Sequence, residues 1–482
     1  MPSDISLGAS AGSHTPSFRF TALIVASALF MEQLDSTVLA TALPTMSRSF
    51  GVSPLDMSIA LTGYLLSLAV FIPASGWFAD RFGARNVFCT AIATFMVGSL
   101  LCAQAPTLTF LVLARILQGM GGAMMVPVAR LIILKTVPRA DFVNAMAWLL
   151  VPALIGPILG PMVGGLIVTY LDWRWIFYVN IPLGIVGIAL ASQFIVNARE
   201  EKTEPFDFAG LVLSGVSLGS LMFAFETSGR GEASPAVAAS LFGAGIISGA
   251  LYIRHARRHA APILDLSLMR IQTFRLSVIG GGFARISAGA MPFLLPMMMQ
   301  LGFGFSALHS GLVTFIAAVG SMAMKAAATP ILRRFGFRNT LIWNSIIASG
   351  FLALYAAFRP EWPLFLIYAL LLVGGFFQSL QFTAYNTIAY ADVERRRMSA
   401  ATSFYTTLQQ MMLSLGICVS AGALHASIMI EGRTSATLAD FSVAFLTVTS
   451  ISILAAIVCL RFPKGAGDDM AGRTAAPAET GH

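Results

Sequence analysis

RFGARN fills positions 81–86 and RFGFRN fills positions 334–339, so one basic, glycine-centred phrase recurs 253 residues on with a single residue changed. Each copy follows one apolar stretch and precedes another. The chain has 482 residues, of which 57% are hydrophobic and only 11% charged, and its mean hydropathy is +0.79. A water-soluble domain carries about 25% charged residues because its surface faces water. This chain has too few for that and reads as a polytopic membrane protein.

A helix needs about 20 apolar residues to cross about 30 Å of hydrocarbon. Fourteen such spans occur, at 20–43, 58–75, 87–104, 108–134, 144–170, 175–196, 208–226, 235–253, 273–299, 309–328, 341–358, 363–388, 401–426 and 441–460. If the chain starts inside and alternates, the inside segments, with Arg275 counted at the inner edge of the ninth span, hold 21 of the 30 Lys and Arg residues and the outside segments 5; the other 4, Arg115, Arg130, Arg285 and Lys325, fall further within spans. That asymmetry predicts cytoplasmic termini and an even number of spans. The net charge of +8 is thereby a topology signal and requires no nucleic-acid partner. No cleavable signal is apparent, since 1–19 is a polar tail that runs into a segment of spanning length.

Both copies of the repeated phrase then lie in cytoplasmic connections, after spans 2 and 10, in the same orientation. Two like-oriented copies indicate parallel halves related by an axis along the membrane normal. The copies stand eight spans apart instead of six, which predicts an all-α fold of six spans, two inserted spans and six more. The expected divisions are a tail at 1–19, an N-terminal half at 20–197, the insertion with its linkers at 198–258, a C-terminal half at 259–463 and a disordered tail at 464–482.

Longer phrases carry a resemblance. GWFADRFGARNVF at 76–88, LARILQGMGGAMMVPVAR at 113–130 and GPILGPMVGG at 156–165 resemble signatures of the major facilitator superfamily, the last associated with antiporters. LDSTVLATALP at 34–44 and WRWIFYVNIPLGI at 173–185 are similar to the pair that marks its fourteen-helix drug:proton antiporters of the EmrB/QacA type, with Ala40 where that family usually has asparagine. The resemblance implies proton-coupled export by alternating access from the bacterial inner membrane. It also implies a central cavity lined by spans 1, 4, 9 and 12.

An acid inside the bilayer costs about 2.5–3.5 kcal/mol at a helix centre and asks for a reason. Glu32 and Asp35 lie three apart on the first span, hence on one face. Asp35 and, on the fourth span, Arg115 lie at similar depths of roughly 12 Å from the outer end. An Asp35–Arg115 pair with Glu32 beside it is therefore the expected proton-coupling group. Gln118, Arg285, Gln378, Gln381, Tyr385 and Asn386 are the expected polar lining of the substrate cavity. Met291, Met297, Met298, Phe376 and Phe377 offer adaptable apolar surface. Gly76, Asp80, Arg81, Gly83, Arg85 and Arg130 are expected to form a latch on the cytoplasmic rim, with Asp80 near Arg130. Gly156, Gly160 and Gly164 recur every four residues and leave one helix face almost bare, which permits close packing or sliding, and Pro157 and Gly165 complete the expected packing motif. Glu226, near the outer end of span 7, is expected at the interface.

Cys89, Cys102, Cys418 and Cys459 all fall in apolar segments without metal-ligand spacing and read as small packing residues. His255 and His259 form an HxxxH in a basic loop, and with no acid or thiol near them in sequence no metal is expected. The chain shows neither a nucleophile–base pair for an enzyme nor a GxxxxGK[ST] phosphate loop. The expected function is export of drugs or other amphiphilic toxic compounds, driven by the proton gradient without a cofactor. The alternative is export of an organic anion such as a citrate-like carboxylate, motivated by Arg285, Arg115 and Lys325. The expected partners are small molecules, protons and the bilayer. The protein is expected to be a monomer, with an outer-membrane or adaptor partner left open.

Overall fold

The computed structural model describes residues 18–137, 142–197, 205–230, 234–433 and 435–470. Its helices group into fourteen: α1 (Phe18–Phe50), α2 (Pro54–Phe82), α3 (Ala84–Ala103), α4 (Leu108–Thr136), α5 (Phe142–Tyr170), α6 (Trp175–Phe194), α7 (Phe208–Arg230), α8 (Pro235–Ala256), α9 (Gln272–Met297), α10 (Ala307–Phe335), α11 (Phe337–Tyr355), α12 (Leu364–Ile388), α13 (Met398–Ile430) and α14 (Leu438–Cys459). Among the described residues, 12 of these are long and apolar enough to cross a membrane, and α5 adds the shorter apolar stretch Ile155–Tyr170. In hydrocarbon every backbone N–H must find its acceptor within the segment, so continuous helix is what such sequences form. Exposed starts are closed by side chains: Thr107 Oγ1 accepts from the N–H of Phe110 at 3.2 Å, and Ser306 Oγ from that of His309 at 3.2 Å.

The repeated phrase builds the same turn twice. Gly83 (φ +91°) ends α2 and begins α3, and Gly336 (φ +74°) does so between α10 and α11. Only glycine adopts this left-handed conformation without penalty. The arginine two residues later repeats its contact as well: Arg85 donates to the carbonyl of Ile195 at 3.5 Å, past α6, and Arg338 to that of Leu460 at 3.2 Å, past α14. Each half thus ties its second turn to the end of its sixth helix.

The inserted pair α7 and α8 packs as a hairpin, with Ser217 and Ser248 donating to the carbonyls of Gly245 and Leu213 at 2.8 Å each. The hairpin lies against the seam between α2 and α13, where Leu66, Met222 and Cys418 are buried together. The halves are not joined evenly. One large buried cluster takes residues from both, including Leu43, Met46, Trp173, Met297, Met298 and Phe445, all at the face opposite the repeated turns. At the arginine-rich face of the repeated turns, the two halves keep separate buried clusters. The buried apolar contact between the halves is concentrated at one face.

Candidate functional site

The polar centre of the first half is assembled by five helices. Asp35 of α1 meets Arg115 of α4 at 2.6 Å, with both side chains fully buried. The Asp35 carboxylate also accepts from Gln118 Nε2 at 2.9 Å and from Asn180 Nδ2 of α6 at 2.8 Å. Both amides donate in turn to Ser99 Oγ of α3, at 2.8 and 2.9 Å. Arg115 gives further bonds to Gln118 Oε1 at 2.6 Å and to the carbonyl of Ala60 at 3.4 Å. Its guanidinium sits 4.2 Å from the centroid of the Tyr64 ring, a cation–π contact strengthened by the absence of water. Glycine lets these backbones converge: a Cβ on Gly98 of α3 would stand 2.6 Å from Gln118 Cα. Sequence reasoning found Asp35, Arg115 and Gln118 but not Asn180, Ser99 or Tyr64. Asn180 lies inside the WRWIFYVNIPLGI phrase, where an amide in an apolar span was the available signal. Ser99 offered none.

Glu32 lies one turn from Asp35 and has the opposite environment. It is buried, yet its Oε2 has no hydrogen-bond partner among the described residues. Its charged neighbours are Asp35 and Arg130 of α4. Of two acids three residues apart, one is saturated with donors and the other is not.

The second half repeats part of this network without the ion pair. Gln381 of α12 donates to Ser345 of α11 at 2.6 Å, as Gln118 of α4 does to Ser99 of α3. Asn344 donates to Gln381 at 2.9 Å. Arg285 of α9 is buried and bonds to Asn386 at 2.7 Å, Tyr405 at 2.8 Å and Gln409 at 3.3 Å. Among the described residues no carboxylate lies within ion-pair distance of it. Arg285, Ser287, Gln378, Gln381, Phe382 and Tyr385 line a small cleft. Of the residues expected to line the cavity, Arg285, Gln378, Gln381 and Tyr385 line this cleft, Asn386 bonds to Arg285 without lining it, and Gln118 lies instead in the Asp35–Arg115 network of the first half. Tyr385 is the most buried of them, its hydroxyl 2.9 Å from Cys459 Sγ. Met297 and Met298 belong to the shut seam instead of an open lining. Phe377 stacks on Phe351 and packs with Phe376.

At the arginine-rich rim, Asp80 pairs with Lys135 of α4 at 3.0 Å, and Arg130 is not its partner. The reason is length: α2 continues as helix to Phe82, beyond the apolar stretch, which carries Asp80 to the last turn of α4. Arg81 and Arg130 are exposed, and Gly76 faces open space. Gly83 lies against the Asn197 side chain, which also accepts from the N–H of Asn86 at 3.3 Å.

The bare face of α5 meets α1. A Cβ on Gly156 would stand 2.8 Å from Gln33 Cβ, one on Gly160 would strike Thr37, and one on Gly164 would stand 2.6 Å from the carbonyl of Val38. Gly165 turns to the other half, where its Cβ would come within 2.7 Å of the carbonyl of Ala307 on α10. Pro157 lies inside the helix between these contacts.

Glu226, near the end of α7, is enclosed by the neighbouring helices. It is buried, and it accepts from Ser58 of α2 at 2.6 Å and from Cys418 of α13 at 2.8 Å. The insertion thus supplies one carboxylate that holds a helix of each half. Bonds to a charged group contribute about 1.5–3 kcal/mol each. Glu226→Ala is expected to widen the distance between spin labels on the ends of α2 and α13 at this face. A distance distribution identical to that of the parent would remove Glu226 from the seam's closure.

Comparison with known proteins gives consistent results. The family model described as Major Facilitator Superfamily matches residues 25–417. The chain is 37% identical over 461 residues to the "Putative multidrug resistance protein MdtD" of Escherichia coli O6:H1, covering 94% of this chain and 97% of that one. The protein of that name from Klebsiella pneumoniae is 38% identical over 462 residues, covering 94% and 96%. Among solved structures, a D-xylose–proton symporter superposes with TM-score 0.67 at 15% identity, covering 94% of this chain and 99% of that one. The peptide transporter PepTSo superposes with TM-score 0.68 at 14% identity, covering 92% and 98%.

Proposed function

The chain belongs to the major facilitator superfamily of membrane transporters, and from that premise we propose that it is a proton-coupled exporter working by alternating access. The observation that carries this reading is the contrast between Asp35 and Glu32. Asp35 is held by Arg115, Gln118 and Asn180, so its charge is compensated where it stands. Burying an unpartnered carboxylate oxygen is costly, and a bound proton or contact with water are the ways to relieve it. Glu32 is the group whose state must change as access to water changes, and we assign it the transported proton. Asp35 and Arg115 then position α1 against α4 and set the field around Glu32.

The arginine-rich face, where the halves keep separate buried clusters, is the cytoplasmic one by the distribution of basic residues, and we read this arrangement as the inward-facing state in a bacterial inner membrane. The rim residues Arg81 and Arg130 stand exposed here, as a latch released in this state requires. Opening the other face needs α2 to leave α13 and α5 to leave α10, at Glu226 and at Gly165.

Export of drugs or other amphiphilic toxic compounds is the leading substrate reading, supported by the names of the relatives. Arg285 favours a second one. A buried arginine without a carboxylate partner is a recognition group for an anionic substrate. Arg285→Gln separates the two. For carboxylate export it is expected to cut di- and tricarboxylate transport by about 10–100-fold, the worth of a charge-assisted bond. For drug export it shifts relative rates among drugs and leaves proton coupling intact. Equal rates for every substrate tested would reduce Arg285 to a packing role.

A further inference from the structure

HxxxH at His255 and His259 lacks an acid in the nearby sequence, but the fold supplies one. Asp207 immediately precedes α7, and the two histidines close the far end of α8, so the hairpin brings both ends of the insertion together at the arginine-rich face. Asp207 Oδ1 lies 2.6 Å from His255 Nε2. The two imidazole rings are 5.1 Å apart between centroids and tilted by 33°. One ligand atom from each of the three residues lies within 4.8 Å of the others.

We infer that Asp207, His255 and His259 form a divalent-metal site, suited to Zn²⁺, that pins the base of the inserted hairpin to the segment entering the C-terminal half. Two imidazoles and a carboxylate are the donors that borderline metals such as Zn²⁺ take, and three protein ligands leave a fourth position for water. Ligands about 2.0–2.2 Å from a tetrahedral metal stand roughly 3.4 Å from one another. The present spacings, from 2.6 Å between Asp207 Oδ1 and His255 Nε2 to within 4.8 Å across the set, lie on either side of that value. Asp207 is already oriented: its Oδ1 accepts from the N–H of Gly210 at 2.8 Å and its Oδ2 from that of Ile263 at 3.1 Å. Such outer contacts fix a ligating carboxylate. His259 Nδ1 accepts a long bond of 3.3 Å from the N–H of Ala261, a contact that a metal on this nitrogen replaces. A helix cap with a His–Asp pair explains Asp207 and His255 and leaves His259 only its long turn contact, and the third donor within 4.8 Å of the other two is what points to a metal.

The test uses the full-length protein, purified in detergent with a histidine-free tag, stripped with a chelator and titrated with Zn²⁺ against a chromophoric chelator. One Zn²⁺ per chain is expected, together with a rise in melting temperature on adding Zn²⁺. His259→Ala and His259→Gln leave the Asp207–His255 bond in place, and both are expected to lose the bound Zn²⁺ and the melting shift. Replacing Cys89, Cys102, Cys418 and Cys459 with Ala should lose neither. Co²⁺ in place of Zn²⁺ should give tetrahedral visible bands that His259→Ala abolishes. Failure of the parent to bind Zn²⁺, or equal binding by the two His259 variants, overturns the assignment.

Discussion

Asp35→Asn is expected to melt at a lower temperature than the parent and to stop transport, while Asp35→Asn with Arg115→Met regains the stability and stays inactive. Both members of the pair are fully buried at 2.6 Å. Removing one partner from such a pair leaves an uncompensated charge and costs about 3–5 kcal/mol, whereas replacing both with apolar groups is often neutral or stabilising. Asn at position 35 keeps the volume and one acceptor but not the charge that Arg115 faces. Transport in both variants is expected to fall at least about 100-fold, which corresponds to about 2.7 kcal/mol of barrier. The double variant separates the two effects. Recovered activity would make the pair a structural bridge without a part in transport, and an equally unstable double variant would mean that Arg115 is not the source of the loss.

Glu32→Gln is expected to behave in the opposite way. The Glu32 oxygen that lacks a partner contributes no bond to lose, so the neutral amide should leave the melting temperature unchanged or raise it. Active export against a gradient should nevertheless fall at least about 100-fold, because a glutamine carries no proton between the two faces. Downhill exchange of substrate should survive, since alternation between faces uses other contacts. Retained binding with lost accumulation is the signature, and it distinguishes a coupling residue from one that merely supports the fold. Export at the parental rate would remove Glu32 from the mechanism and return the proton to Asp35.

The architecture was legible because its signals are local or periodic. The repeat at 81–86 and 334–339 predicted like-oriented turns, and Gly83 and Gly336 both take positive φ there. Apolar stretches of spanning length predicted fourteen spans, basic residues in the connections predicted an even number, and helices form at all fourteen. Helix ends were less legible, because hydropathy marks the apolar stretch and the backbone continues past it. α1 runs to Phe50 and α2 to Phe82, and the second extension gives Asp80 to Lys135 instead of Arg130. At the site, an acid and an arginine of equal depth were enough to predict their pairing. Asn180 and Ser99 were not found because their importance exists only where α3, α4 and α6 meet on Asp35. The partners of Glu226 were not legible for the same reason, since its donors come from α2 and α13, 168 and 192 positions away. The acid that completes the HxxxH is also distant, 48 residues before His255.

The most direct test of proton coupling is made in proteoliposomes holding a pH-reporting dye, with a proton gradient imposed and lipophilic cations, neutral drugs and di- or tricarboxylates added in turn. The parent is expected to move protons when one of these classes is added, and Glu32→Gln to bind the same compound without moving them. Proton movement by Glu32→Gln equal to that of the parent would contradict the account.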